Sequence, residues 1–377
     1  LTCFNDILFS VQLISKMIKY KPSFTLVKRA VIVLFVIASC QPKKVQNKLP
    51  QNSLRIRKEI ELVEPRAGTS FSVDSEITFT LSSRNQTKID SIKIEDASTI
   101  ETVYLNTFKW KSKTTRTGVP QITLTAYFNG VAEKLYPKIT LLSDIVPDRY
   151  TFKLLNTFPH NDKNYTQGLF FEKGTLYEST GQKGNSTIGQ YDFKSGEAKK
   201  ISNLDKKYFG EGATSWNDKI YQITWESQIA FAYDLELNRL QTFNYSGEGW
   251  GLATWGDTLV MSDGTENIYL LNPQDFSQID QLETYDQERK LNFLNELEII
   301  GNDLYANIYT MTEDKIVIID LMSGRLKGII DLTGLIDRSK YSGIDHVLNG
   351  IAFSDGHLFV TAKWHPEIYE IELSKMK

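Results

Sequence analysis

A single carboxylate among amides and aromatic rings is the residue of this sequence best suited to chemistry. Glu211 is one of five residues that occupy the same position in the five copies of an internal repeat: Gln167, Glu211, Trp250, Asn295 and Asn349. Burial among indoles should raise the pKa of Glu211, whereas Lys363 would oppose the rise. Glu296 stands one place further along its own strand and should point the other way. Glu211 could therefore carry a proton, and a structural salt bridge to Lys363 is the alternative.

An internal repeat positions these residues. When the chain is aligned on Gly168, the matching positions follow at intervals of 44, 39, 45 and 54 residues: Gly212, Gly251, Glu296 and Gly350. Eight residues after each, an aliphatic side chain begins a second apolar run. Short apolar runs at this period, with Gly, Asn or Asp turns between them, are typical of propeller blades with four antiparallel strands. The five copies predict an all-β fold that contains a five-bladed β-propeller.

A hairpin turn is predicted six residues after each aligned position, at Gly174, Asp218, Asp257, Asn302 and Gly356. Residues equidistant from this turn should lie opposite each other. The set that contains Glu211 is therefore predicted to face a second set: Gly181, Trp225, Gly264, Tyr309 and Lys363. Quasi-fivefold symmetry would place both sets around the axis on one face. This ring is either a ligand pocket or a group of amides and waters that satisfy one another in the channel.

Composition and residue counts argue against several other kinds of site. The net charge of −3 carries no basic excess, so nucleic acid is not an expected partner. The only cysteines are Cys3 and Cys40, both ahead of the folded domains, so no disulfide and no cysteine nucleophile is expected. The four histidines are too scattered for a zinc motif. One axial carboxylate is too few for the calcium site of a propeller lactonase, so no metal ligands are predicted.

The beginning of the chain is predicted to target and tether the protein. Residues 1–40 hold several lysines and the apolar run Ala30–Ala38, which is too short to span a bilayer as a helix, and Met17 is the expected start. The run ends in IASC, which resembles the lipobox of bacterial lipoproteins and implies lipid on Cys40. An ordinary secretory signal is the alternative. Residues 41–53 are polar and would tether the protein to the bacterial cell envelope, on the periplasmic or outer-membrane side.

Two folded domains are expected after the tether. Residues 54–146 alternate apolar and polar positions over short runs, which predicts a small immunoglobulin-like β-sandwich with Trp110 in its core. Residues 147–377 contain the repeats and are the predicted propeller and catalytic domain. The last repeat is one strand short, so Tyr150–Phe158 is predicted to supply its outer strand. This strand would tie the two ends of the propeller together.

Six short motifs in the propeller domain carry a resemblance to one enzyme family. They are YTQGL (165–169), LYESTG (176–181), FGEG (209–212), IYQITW (220–225), LNELE (294–298) and LNGIA (348–352). Together they closely resemble the plant-type glutaminyl-peptide cyclotransferases, which also occur in bacteria, over about residues 150–375. The resemblance implies a five-bladed propeller that converts the N-terminal glutamine of peptides or proteins to pyroglutamate, with release of ammonia.

The same motifs imply the roles of the site residues. The family's essential glutamate corresponds to Glu211, and its substrate-binding residues correspond to Gln167, Trp225, Trp250, Asn295 and Lys363. Tyr309 stands where a further tryptophan is common, and Tyr165 stands where phenylalanine is usual. We predict that Tyr309 also binds substrate. No cofactor should be required, although some relatives hold a structural calcium.

The expected partners follow from this resemblance and from the lipobox. They are peptides or proteins with an N-terminal glutamine, and the membrane through the lipid anchor; the protein itself should be a monomer. The alternative function is a non-catalytic, lipid-anchored propeller that binds peptides or glycans with the same aromatic cluster.

Overall fold

The computed structural model of the protein describes residues 58–341 and 345–377, which belong to one compact unit. The predicted leader, the tether and Cys40 lie outside the described residues. Within these ranges every regular element is a β-strand except a short 3-10 turn at Arg338–Lys340. No helix in the described part of the chain is long and apolar enough to cross a membrane.

The N-terminal part of the described chain contains nine strands. They are β1 (Ile60–Glu64), β2 (Thr69–Ser72), β3 (Glu76–Ser83), β4 (Ser91–Glu95), β5 (Ile100–Val103), β6 (Thr107–Lys111), β7 (Thr123–Phe128), β8 (Val131–Leu135) and β9 (Ile139–Leu142). They form three sheets, ordered β1-β3-β6, β5-β4-β7-β8 and β2-β9. The alternating pattern buries one face of these strands. Trp110 lies in this core edge-on to Phe79, with ring centroids 5.9 Å apart, so the prediction of a core tryptophan is confirmed.

The repeats form the remaining strands. They are β10 (Asp148–Pro159), β11 (Thr166–Glu172), β12 (Thr175–Thr180), β13 (Thr187–Tyr191), β14 (Ala198–Asn203), β15 (Gly210–Trp216), β16 (Lys219–Thr224), β17 (Ile229–Asp234), β18 (Arg239–Asn244), β19 (Leu252–Trp255), β20 (Thr258–Ser262), β21 (Asn267–Leu271), β22 (Gln278–Glu283), β23 (Leu294–Ile300), β24 (Asp303–Ile308), β25 (Lys315–Asp320), β26 (Leu326–Asp331), β27 (Leu348–Ser354), β28 (His357–Ala362) and β29 (Glu367–Lys375). The first three repeats each form one antiparallel sheet, β11–β14, β15–β18 and β19–β22. The last two share an eight-stranded sheet ordered β23-β24-β25-β26-β10-β29-β28-β27. The fold is therefore all-β and propeller-like.

Strand β10 closes the chain of repeats. It pairs antiparallel with β29 from Tyr150 to Pro159, which confirms the predicted outer strand of the last repeat. Its first residues also pair in parallel with β26, an interaction that was not predicted and that joins the last two repeats into one sheet. Gly328 leaves room for this contact, because a Cβ atom there would lie 3.0 Å from the Tyr150 ring.

Glycine allows the first strands of neighbouring repeats to pack closely. Strands β11, β15, β19, β23 and β27 contact one another in a closed cycle. A Cβ atom on Gly168 would lie 2.6 Å from the backbone nitrogen of Ala213, and one on Gly212 would lie 2.3 Å from that of Leu252. No side chain fits such gaps, which explains why glycine recurs at the aligned position.

The inner hairpin of a repeat combines a two-residue turn with a bulge. Strands β11 and β12 are joined by Lys173–Gly174, both with positive φ, as a type I′ turn requires. This confirms the predicted turn. Further from the turn the register pairs Gly168 with Ser179, and Gln167 is then an extra residue on β11 before pairing resumes. The same shift interrupts β15, β23 and β27.

This bulge shows that the predicted pairing of the two residue sets was wrong. Trp225 does not pair with Glu211; its backbone N–H donates to the carbonyl of Phe209 at 3.1 Å. The prediction centred the hairpin on the sixth residue after the aligned position, whereas the two-residue turn centres it half a residue earlier and pairs Gly168 with Ser179. The extra residue on the inner strand then shifts the register again and turns a side chain to a new direction. Gln167, Glu211 and Asn295 occupy the bulges, and all three reach one cavity.

Candidate active site

A cavity of about 200 Å³ opens where the bulged residues converge. Its walls are Tyr165, Gln167, Gln182, Phe209, Glu211, Trp225, Trp250, Asn295, Tyr309 and Lys363. These residues include all seven that the sequence predicted for the catalytic and substrate-binding site. Asn349, which the repeat placed in the same set, is not in the wall; its Nδ2 donates to Gln167 Oε1 and to the Thr166 carbonyl, both at 2.9 Å.

Glu211 is 5% exposed and stands at the bulge of β15. Burial raises the pKa of its carboxyl group well above the usual range, and the charge of Glu248 raises it further. The Lys363 ammonium and the Gln167 side chain act in the opposite direction. The sequence predicted these two opposing effects and left their balance open; in the structure burial outweighs the Lys363 charge. Glu211 therefore exchanges its proton at a higher pH than an exposed glutamate does.

Lys363 is 2% exposed and is held by aromatic faces. Its Nζ lies 4.5 Å from the ring centre of Tyr165 and 4.8 Å from that of Tyr309. Burial lowers the pKa of Lys363 to about 8, although the charges of Glu211 and Asp345 oppose this shift. Within the described part of the chain, no ion pair of 4.0 Å or less joins Lys363 to Glu211. The alternative of a direct structural salt bridge is therefore absent from this arrangement.

Aromatic rings surround the acid and the amine. The rings of Trp250 and Tyr309 are nearly perpendicular, with centroids 5.9 Å apart. On the other side of the cavity, Phe209 lies 5.7 Å from Trp225 and 5.9 Å from Tyr165. Edge-to-face contacts of this kind hold rings in fixed orientations. The cavity therefore has stiff, largely apolar walls around a few polar groups.

Two amides complete the polar part of the cavity. Gln167 Oε1 accepts from Asn349, and one N–H of the Gln167 amide bonds the Glu211 carboxyl group, which leaves the second N–H for a bound molecule. Asn295 is 3% exposed, and among the described residues its Oδ1 has no hydrogen-bond partner. A buried polar atom without a partner costs about 1–3 kcal/mol. Both amides can therefore hydrogen-bond a ligand or water in the cavity.

One comparison decides the family of this protein. The sequence model of a family described as glutamine cyclotransferase matches residues 125–373, well over half of the chain. This chain belongs to the glutamine cyclotransferase family. The match begins within β7, about 25 residues before the region in which the motifs were recognised.

Two known proteins are similar to this member of the glutamine cyclotransferase family. A glutaminyl-peptide cyclotransferase from Arabidopsis thaliana is 38% identical over 226 residues, which cover 58% of this chain and 70% of that protein. The crystal structure of a glutaminyl cyclase from Myxococcus xanthus is 30% identical and superposes with a TM-score of 0.58, over 62% of this chain and all of that chain. The predicted resemblance is confirmed.

Glu248 is the residue of this cyclotransferase-family site that the sequence analysis missed. Its Oε2 accepts hydrogen bonds from two indole N–H groups, that of Trp225 at 2.8 Å and that of Trp250 at 3.0 Å. Gln182 and Phe209 of the cavity wall were also missed. Glu248 lies between β18 and β19, in a GEGWG segment that could be noticed only as a weak glycine motif. An acid two residues before a predicted site tryptophan is the signal that could have found it.

No group of three or more His, Cys, Asp or Glu residues within the described ranges is arranged to hold a metal ion. The polar side chains of the cavity wall are one carboxyl group, one amine, the amides, two tyrosines and two tryptophans. Such a set can accept a proton, donate hydrogen bonds to an oxygen and confine a small flexible group.

Proposed function

We propose that this protein is a glutaminyl-peptide cyclotransferase that converts the N-terminal glutamine of peptides or proteins to pyroglutamate and releases ammonia. One observation carries the proposal for this chain. A buried glutamate with a raised pKa, Glu211, shares a small aromatic cavity with a buried lysine, Lys363. Membership of the glutamine cyclotransferase family supports the same reaction.

The proposed architecture is a five-bladed propeller over residues 147–377, preceded by an immunoglobulin-like sandwich over residues 54–146. The closed cycle of five inner strands supports the blade count. The three small sheets ahead of β10 support a separate N-terminal domain. We further propose that residues 1–40 carry the protein to the cell envelope, that lipid on Cys40 anchors it through the 41–53 tether, and that it acts as a monomer.

Glu211 is proposed to move the proton twice. The α-ammonium group of the substrate, with a pKa of about 7.7–8.0, must lose a proton before its nitrogen can attack the side-chain amide carbon. The raised pKa of Glu211 brings the two groups closer in proton affinity, so the transfer from nitrogen to carboxylate costs less. After the ring closes, Glu211 returns this proton to the amide nitrogen, the C–N bond breaks, ammonia leaves, and the ring nitrogen releases its second proton to water.

The substrate carbonyl oxygen gains negative charge when the amine attacks. Lys363 and the second amide N–H of Gln167 are the cationic and neutral donors proposed to stabilise it, with Asn295 beside them. Such preorganised donors act strongly where water is excluded, and Lys363 and Asn295 are almost fully buried. The proposed catalysis is metal-independent, because these side chains supply both the proton transfer and the oxyanion stabilisation.

The size of the cavity suits a single curled side chain. Its volume of about 200 Å³ is below the range of about 300–1,000 Å³ that is usual for drug-sized ligands. Trp225, Trp250 and Tyr309 would press the glutamine side chain back toward its own amine. Holding two reacting groups together in this way can lower a barrier by about 7–11 kcal/mol in well-oriented intramolecular reactions.

Ammonia release from glutaminyl-alanine by the purified protein tests the proposed function. The expected products are ammonia and pyroglutamyl-alanine in equal amounts, identified by mass spectrometry. Nα-acetyl-glutaminyl-alanine should release no ammonia, because its nitrogen cannot attack; release from it would indicate a hydrolytic amidase. If the folded protein releases nothing from any peptide with N-terminal glutamine, the non-catalytic peptide- or glycan-binding propeller becomes the better account.

A further inference from the structure

Glu248 joins the two tryptophans of the cavity. Trp225 follows β16 in the second repeat, whereas Trp250 precedes β19 in the third. The indole N–H groups of both converge on one oxygen of Glu248, at 2.8 and 3.0 Å. Hydrogen bonds to a carboxylate are stronger than those between neutral groups, so Glu248 fixes the rings of Trp225 and Trp250 relative to each other.

The second oxygen of Glu248 is available to a ligand. Among the described residues, no hydrogen bond reaches Oε1, and Glu248 is exposed whereas Glu211 is buried. The negative charge of Glu248 also acts on Glu211 and raises its pKa, so the two carboxyl groups are near each other. Glu248 is not itself in the cavity wall, but both its indole partners are, so a positive group bound against Trp225 and Trp250 can reach Oε1.

The charges around the cavity also favour a further carboxylate close to the substrate amine. The substrate brings an ammonium group into a site that already contains the buried amine of Lys363, on which the charges of Glu211 and Asp345 act. Burying like charges without counter-charges is costly. Glu248 adds a carboxylate that is hydrogen-bonded to two residues of the cavity wall.

We propose that Glu248 recognises the α-ammonium group of the N-terminal glutamine through Oε1, while Oε2 holds Trp225 and Trp250 in place. The proposal rests on the proposed function and names the residue that selects a free N-terminus. The bound ammonium then gives one proton to Glu211, the N–H bond breaks as the O–H bond forms, and Glu248 takes no part in that transfer.

Two ligands that cannot cyclise allow recognition of the α-ammonium group to be measured without catalysis. Norvalyl-alanine has a free α-amine but no side-chain amide, and pentanoyl-alanine lacks the amine as well. Their dissociation constants are measured by intrinsic tryptophan fluorescence for the wild type, Glu248→Gln and Glu226→Gln. Glu226 is the matched control, because it is an exposed acid directly after Trp225 that pairs with Lys183 at 3.6 Å.

The wild type and Glu226→Gln should bind norvalyl-alanine at least about tenfold more tightly than pentanoyl-alanine, the scale of a hydrogen bond to a charged group. In Glu248→Gln that preference should disappear, although the glutamine oxygen can still accept both indole N–H groups. A preference that survives in Glu248→Gln would overturn the proposal, as would its loss in Glu226→Gln.

Turnover supplies a second readout and keeps the two proposals distinguishable. With glutaminyl-alanine, Glu248→Gln should raise KM more than it lowers kcat, and it should move the acid limb of the pH profile to lower pH. Glu248→Asp, which keeps the charge, should recover part of the KM. If folded Glu248→Gln had the KM of the wild type and the acid limb of its pH profile did not move, the proposal would be contradicted. If the wild type shows no turnover, the proposed function fails, whereas the inert ligands still decide the role of Glu248.

Discussion

Two buried glutamates on the inner strands have different surroundings. Glu211 on β15 directly precedes the aligned position of its repeat, whereas Glu296 on β23 occupies the aligned position of a later repeat. Burial raises the pKa of both carboxyl groups well above the usual range. Glu296 is 1% exposed, and both its oxygens accept backbone N–H groups, Oε1 from Leu169 at 3.2 Å and Oε2 from Ile351 at 2.7 Å. Among the described residues, no backbone N–H group reaches the carboxylate of Glu211.

This difference separates a structural acid from a chemically available one. Leu169 lies on β11 and Ile351 on β27, so Glu296 ties together the inner strands of three repeats. It is not in the cavity wall, which agrees with the prediction that it points away from the site. Glu211, in contrast, faces the cavity. A raised pKa alone would not tell the two residues apart; the hydrogen-bond partners do.

The largest expected effect comes from Glu211→Gln. The variant keeps the size of the side chain but cannot carry a proton, so kcat for glutaminyl-alanine should fall at least about 10²-fold. The free energy of unfolding should not fall, because no backbone donor depends on this carboxylate. Ammonia release and urea denaturation measure the two quantities. Near wild-type turnover in the folded variant would remove Glu211 from the reaction.

Lys363→Met should have a smaller effect on kcat, about tenfold, because one hydrogen bond from a charged donor is lost while the proton carrier remains. The Lys363 charge lowers the pKa of Glu211, so its removal should raise that pKa further. Glu211 must be ionised to accept a proton, and activity should therefore appear only at higher pH. The pH profile of kcat/KM measures this shift, which is opposite to that expected for Glu248→Gln. A fall as large as that of Glu211→Gln would reverse the order of importance of the two residues.

Glu296→Gln should mainly affect stability. The new amide N–H₂ would face the backbone N–H of Leu169 or Ile351, so one donor loses its acceptor and the free energy of unfolding should fall by about 1–3 kcal/mol. Urea denaturation measures this loss, with Glu211→Gln as the matched control. If Glu296→Gln were as stable as the wild type but lost turnover, the distinction between the two glutamates would fail.

The smallest expected effect is that of metal removal. In the proposed mechanism, Glu211 moves the proton and Lys363 stabilises the oxyanion, so dialysis against EDTA should leave kcat/KM unchanged. Activity that disappears with EDTA and returns with one added metal ion would show that the reaction needs a further group.

The sequence predicted the members of the cavity although it predicted their pairing wrongly. The bulge interrupts four of the inner hairpins at the same repeat position, in β11, β15, β23 and β27. In addition, the turn of every hairpin is centred half a residue earlier than predicted, as the pair Leu252 and Met261 shows in β19 and β20, where no register shift occurs. The error was therefore shared between repeats, and residues at equivalent positions still converge on one cavity. Glu248 was missed for a different reason. It lies in the loop between β18 and β19, outside the aligned positions of the repeat, so comparison of the repeats could not single it out.

The sequence by itself determined the repeat, the places of the hairpin turns, the closing strand and the family, because these depend on local patterns of apolar, glycine and polar residues. Only the tertiary structure decided which acid meets backbone donors. It also decided that one carboxylate oxygen holds Trp225 and Trp250 and that β10 pairs with β26. These contacts join residues from different repeats. Their distances depend on how tightly the inner strands pack, which no local pattern records.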